Sequence, residues 1–260
     1  LARYRLYEAK NDNQHWELDF GRPNEAAWRY VCHHYYNVQA EYGFDFMRGD
    51  MSHVQMRPDG VPANPDEHYD LLRAVKKAVL VEKPYFGYFA ESFLAPPGEM
   101  AYGDECDHLE ASMADSTLGD LQSEPTYTEK FMRSFAQYRN WLDTRRFAPN
   151  FTVMTADKDD PRFDNFYLEG NEVRHFVALF LNDMPSYMGL GFECRDPHPE
   201  PAPNEHYTKL YVFKELHGPK STSGPYQWGK NTVLYNNLVR QRLLSDKINE
   251  RLAGRKVQWL

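Results

Sequence analysis

The stretch YGFDFMRGDMSH, Tyr42 to His53, decides how this chain reads. Phe44, Phe46 and Met47 form a short apolar, aromatic-rich run of the kind that makes a buried strand. The run ends on Arg48 and Asp50, with His53 three residues further on. Charged groups at the end of a buried strand cost free energy unless something pairs or uses them. Arg48-Gly49-Asp50 is also the tripeptide of a cell-adhesion signal, but such a signal needs an exposed loop, and the residues before it belong to a strand. The stretch therefore reads either as a structural ion pair at a strand end or as a strand delivering functional charges.

Outward from this stretch, helical and strand-like segments alternate, which predicts a parallel α/β architecture. A helix is expected from Asn24 to Tyr42, with Trp28, Val31, Tyr35 and Tyr42 near one face. A second fits Asp66 to Glu82, capped by Asp66 and buried through Tyr69, Leu72, Val75 and Val79. The strand YFGYF, Tyr85 to Phe89, follows, and HLEASM near His108 is the next strand candidate. Thr126 and Glu129 have capping-box spacing ahead of a helix striped by Phe131, Phe135, Tyr138 and Leu142. NFTVMT (Asn150 to Thr155) reads as strand, Asn171 to Asn182 as helix and PSYMGL as strand. Pro197, Pro199, Pro201 and Pro203 mark a loop, and a last helix runs from Thr232 to Ala253, stopped by Gly254.

This makes about five βα units, and chemistry in such folds sits where strands end and loops begin. Acidic residues recur there: Asp50, Glu91, Asp157 and Glu193. Cleavage of a glycosidic bond needs two carboxyl groups, which acids at strand ends supply.

Composition narrows the field. The chain has 260 residues, 42% hydrophobic and 26% charged, as expected of a globular protein with a large core. A net charge of −8 with no Lys/Arg-rich run argues against nucleic acid as a partner. Cys32, Cys106 and Cys194 are distant and odd in number, so neither a disulfide framework nor a zinc site is expected. With no apolar run of membrane-spanning length and no signal peptide, a cytoplasmic protein without a membrane partner is expected. The NFT sequon at Asn150 opens an expected buried strand and reads as accidental.

The motifs resemble the α-amylase superfamily of glycosidases and transglycosidases, glycoside hydrolase family thirteen. Its fourth-strand motif, Gly-x-Asp-Gly-Phe-Arg-x-Asp, is matched by Gly43-Phe44-Asp45-Phe46-Met47-Arg48-Gly49-Asp50, after an approach resembling LDFGRPNEAAW. The resemblance implies that Asp50 is the nucleophile and that Arg48 positions it and keeps it ionised. YFGYFAESF resembles the fifth-strand motif and makes Glu91 the acid/base. At the seventh strand the family's Asn-His-Asp becomes Thr155-Ala156-Asp157, so Asp157 takes the place of the acid that grips the sugar, with Asp159 as its rival. NDMPSYMGLGFE resembles the eighth-strand segment ending in Gly-x-Glu. His53, the Pro96 after AESF, and the Thr155–Asp157 ending lean toward the maltosyltransferases that use maltose-1-phosphate. By this likeness His53 contacts sugar. On residue type alone a histidine there is more often a hydrogen-bonded packing group.

The resemblance implies a (β/α)8 TIM barrel of which this chain supplies about the fourth to eighth units, the C-terminal portion of a catalytic domain. The third-strand motif is not visible. A five-stranded arc would leave two unpaired edges, so an N-terminal segment or a second chain is expected to complete the barrel. The implied activity is a retaining glycosidase or transglycosylase acting on α-glucan or related α-glucosides by double displacement, with no cofactor or metal. The competing expectation is a catalytically silent amylase-like domain that binds glucan or scaffolds a partner.

Overall fold

The computed structural model describes residues 6–10, 17–92, 94, 103–118, 126–154, 170–180, 186–189 and 232–252. The chain divides into two units, Leu1–Thr117 with Arg145–Phe147, and Leu118–Thr144 with Ala148–Leu260.

The first unit begins with an antiparallel hairpin, β1 (Tyr7–Ala9) and β2 (Leu18–Pro23), which sequence patterning does not announce. Helix α1 (Glu25–Tyr42) follows, capped where expected: the Asn24 side chain accepts the Ala27 N–H, and Gly43 ends the helix at φ +70°. Trp28 anchors the hairpin to this helix, its indole N–H donating to the Leu6 carbonyl at 2.7 Å. Leu6, Tyr7, Trp28, Val31 and Leu71 form one buried cluster, each side chain worth about 1.5–3 kcal/mol of burial.

Helix α2 (Leu71–Leu80) starts later than Asp66 would place it. The Asp66 carboxylate accepts the His68 N–H at 2.8 Å and makes a turn, whereas Asp70 accepts the Arg73 N–H at 2.7 Å and is the cap. That turn is what lets Tyr69 reach the interior.

Between these helices runs β3 (Phe46–Gly49), parallel to β4 (Gly87–Ala90), which in turn pairs in parallel with β5 (Ser116–Thr117). The register sets Arg48 against Phe89 and Gly49 against Ala90. Parallel strands alternating with helices are thus observed, as the sequence predicts. HLEASM is not strand: helix α3 (Glu105–Ala111) covers most of it, and the strand comes later, at Ser116. Glu105 and Asp107 sit in the first helical turn, where acids favour the positive end of the helix dipole. Tyr88, Ala90, Leu109, Ala114 and Phe147 bury the helix-covered side of the sheet, with Met47 and Leu72 packed against them. Strand alternation sends Phe46 to the other face, where it is 64% exposed.

In the second unit, α4 (Glu129–Thr144) buries Phe131, Phe135 and Tyr138 on one stripe. Its cap is Thr128, whose hydroxyl accepts the Phe131 N–H at 3.1 Å, and not Thr126. Strand β6 (Ala148–Pro149) is followed by β7 (Phe151–Met154), which pairs in parallel with β8 (Ser186–Gly189), close to the expected bounds. Asn150 is buried, in keeping with an accidental sequon. Helices Asn171–Phe180 and Thr232–Leu252 pack together, tied by the Gln241 side chain to the Glu172 carbonyl at 3.1 Å and to His175 at 2.9 Å. Among the described residues no helix is long and apolar enough to cross a membrane.

Candidate active site

The register of β3 against β4 brings two of the sequence-derived acids together. Asp50 and Glu91 each follow directly the last paired residue of neighbouring parallel strands, so both stand at the same sheet edge. Arg48 joins them. Its Nη1 lies 2.8 Å from Asp50 Oδ1 and its Nη2 2.6 Å from Glu91 Oε1. One planar guanidinium therefore holds both carboxyl groups, within roughly 8 Å of each other.

Their environments differ. The Asp50 side chain is 73% exposed and that of Glu91 only 18%. Burial pushes the Glu91 carboxyl above its ordinary range, opposed by the Met51 N–H, supported by the hydrogen bond and negative charge of Asp50, and opposed by the charge of Arg48. Desolvation wins, because Arg48 is shared with Asp50 and partly open to water. A carboxyl whose pKa is raised by burial, beside an open one, is the pairing that acid/base chemistry uses.

The chain between the acids is shaped for this contact. Met51 adopts φ +47°, ψ +51°, a left-handed conformation that a bulky residue rarely takes. It turns the chain straight after Asp50 and lets the Met51 N–H donate to Glu91 Oε2 at 2.9 Å. Ser52, fully buried, opens a short 3₁₀ turn (Ser52–Gln55) and is bonded through every polar atom. Its N–H donates to the Glu91 carbonyl and its hydroxyl to the Gly49 carbonyl, both at 2.9 Å. The hydroxyl also accepts from Tyr88 at 2.9 Å, and the carbonyl takes His108 Nε2 at 3.0 Å. Gly49 is glycine for lack of room: a Cβ there would lie 2.9 Å from Ser52 Oγ.

Below the turn is a buried polar group of Asp70, Tyr69, His108 and Ser112. Asp70 Oδ2 accepts from the Ser112 hydroxyl at 3.1 Å and lies 3.7 Å from His108 Nε2, while the Tyr69 hydroxyl meets His108 Nδ1 at 2.8 Å. Burial raises the Asp70 carboxyl; the charge of His108 is the largest influence against it. Sequence reasoning missed Ser52, Asp70 and His108 as parts of this region. The available signal was the second aspartate, four residues after Asp66, in capping position.

His53, expected to contact sugar, is 4% exposed. Burial depresses its pKa, opposed by the negative charges of Glu105 and Asp50 and reinforced by the charge of His108. Tyr88 is 1% exposed and donates to Ser52. Asp157, Asp159 and Glu193 lie outside the described residues, as do Pro96 and Thr155. Among the described residues no three His, Cys, Asp or Glu side chains gather as a metal site needs.

A cavity of about 790 Å³ runs along β3, lined by Tyr35 and Gln39 of α1, by Leu72, Val75 and Val79 of α2, and reaching Arg48 and Asp50 at one end. Compared with known proteins, the chain matches no family model and no curated protein sequence.

Proposed function

We propose that Arg48, Asp50 and Glu91 form the centre of a retaining glycosidase or transglycosylase acting on α-glucan or related α-glucosides. The observation that carries this reading is the single guanidinium shared by two carboxyls of unequal environment at the ends of adjacent parallel strands. An inverting pair stands about 6.5–9.5 Å apart to admit a water, whereas a retaining pair is about 5 Å apart. Two carboxyls gripped by one guanidinium can close to the short separation, which favours retention.

In this reading Asp50, ionised and open, attacks the anomeric carbon as the bond to the leaving oxygen breaks. Glu91 gives its proton to that oxygen, leaving a glycosyl ester on Asp50. Glu91, now a carboxylate, takes a proton from water or an acceptor hydroxyl, which attacks the same carbon and releases Asp50. Between the two steps Arg48 holds the Glu91 carboxylate while Asp50 is esterified. Asp157 or Asp159 would grip the sugar at the cleavage point, and the lean toward transfer from maltose-1-phosphate rests on His53, Pro96 and Thr155. The surrounding fold in this reading is a (β/α)8 barrel. The uncovered Phe46 face of β3 fits an inward barrel face, to be completed by a further segment or a second chain. Free thiols at Cys32 and Cys106 fit a reducing, cytoplasmic setting.

The test is turnover of α-1,4-linked glucan oligosaccharides by the full chain, with product anomer read by NMR, beside Asp50→Ala and Glu91→Gln. Retained configuration, lost by at least about a thousandfold in both variants, is expected. Glucan binding without turnover would refute catalysis and favour the silent binding domain. Inverted product would refute the assignment of Asp50.

A further inference from the structure

The turn that carries Asp50 owes its shape to groups that are not part of the proposed chemistry. Ser52 is bonded to Glu91, Gly49 and Tyr88 on the sheet, and to His108 on α3. A carbonyl oxygen can only accept, so His108 Nε2 carries the proton that Ser52 receives. His108 Nδ1 is engaged by the Tyr69 hydroxyl at 2.8 Å, which fixes the rotation of the ring. Asp70 stands 3.7 Å from the same Nε2, held in turn by the Arg73 N–H and the Ser112 hydroxyl. Asp70, His108 and Ser112 are all completely buried, so none can be replaced at its post by water without opening the core.

Resting on the catalytic reading of Arg48, Asp50 and Glu91, we propose that His108, backed by Asp70, is a positioning residue for that site. It holds the Met51–Ser52 turn through the Ser52 carbonyl, so that the Met51 and Ser52 amides stay on Glu91. The consequence is directional. Losing the His108 donor frees one end of the Ser52 peptide; the left-handed Met51 then relaxes, and Glu91 Oε2 loses its amide. The step that needs Glu91 therefore suffers more than substrate binding does.

The test is amide hydrogen exchange on the full chain, with turnover measured alongside, for His108→Phe and His108→Gln. In His108→Phe the Ser52 amide should exchange about tenfold faster or more, with α1 amides such as Val31 at their wild-type rates. His108→Gln keeps an N–H donor and should return Ser52 to within about threefold of wild type. On glucan, His108→Phe should lower kcat about 10- to 100-fold with KM within about twofold. Unchanged Ser52 exchange in His108→Phe overturns the proposal, as does equal acceleration at Ser52 and α1, which marks a merely structural loss. Should that variant fail to fold, Asp70→Asn keeps the cap on Arg73 and is read by the same Ser52 amide: acceleration supports the proposal and an unchanged rate overturns it. A wild-type chain that turns over no glucan refutes the catalytic reading instead, and Ser52 exchange still decides whether His108 holds the turn.

Discussion

Gly49→Ala tests whether the packing beneath Asp50 is as tight as the structure makes it. The backbone at Gly49 is not left-handed, so alanine brings no conformational strain, only a methyl group. That methyl would lie 2.5 Å from Leu72 Cδ1, 2.9 Å from Ser52 Oγ and 2.9 Å from Tyr88 Cε2. Leu72 Cδ1 is the end of a flexible side chain and can swing aside. Ser52 and Tyr88 are joined to each other and cannot both move without breaking their bond. Overpacking of this kind costs about 1–3 kcal/mol, and one or two strained buried hydrogen bonds add about 1 kcal/mol each. The expected loss is about 2–5 kcal/mol, a large share of a typical domain's stability. Urea unfolding of the full chain measures it, and the double variant Gly49→Ala/Leu72→Ala should recover only the part owed to Leu72. A loss under about 0.5 kcal/mol, or complete recovery in the double variant, would refute the claim that the Ser52–Tyr88 bond is rigid.

Arg48→Met removes a charge that lowers the Glu91 pKa, so Glu91 should titrate higher by carboxyl carbon NMR, while an unmoved or lower value refutes the shared-guanidinium account. The same change should cost little stability through Asp50, about 0–1 kcal/mol, because that carboxylate is mostly exposed. Burial depresses the His53 pKa, so between the folded and unfolded values the unfolded chain binds more protons. The stability this gives is full above about pH 6.5 and is lost as pH falls through the folded value; His53→Gln should flatten that acid limb in a pH series of thermal melts, and an undiminished slope counts against it. Asp70→Ala removes the α2 cap and the acceptor for Ser112 and should cost about 2–4 kcal/mol, whereas Asp70→Asn keeps the cap and should cost clearly less. Equal losses in a denaturant titration would show that the cap carries nothing.

Local signals in the sequence settle most of the elements and one half of the candidate site. Asn24 and Gly43 bound α1 because a capping side chain and a left-handed glycine act on their own neighbours, wherever the helix packs. The strand Phe46–Gly49 follows from its apolar run, and the acids at Asp50 and Glu91 follow from their place after two such runs. Where two local signals competed, packing chose. Asp66 and Asp70 are both capping residues, and Tyr69 had to enter the core, so the helix starts at the second. HLEASM has strand-like alternation over a few residues, but Leu109 packs on Tyr88 and Ala90 from a helix.

What the sequence by itself determined is which residues end strands and which charges those ends carry, because strand and cap preferences depend on neighbours a few positions away. Only the tertiary structure decided that Arg48 reaches both acids, since this depends on the parallel register of strands about forty residues apart. It alone turned His53 and Tyr88 inward, and it joined Ser52 to His108 across 56 residues. Hydrogen bonds between distant residues leave no pattern in a single chain; they exist because buried polar groups must find partners once the core has closed.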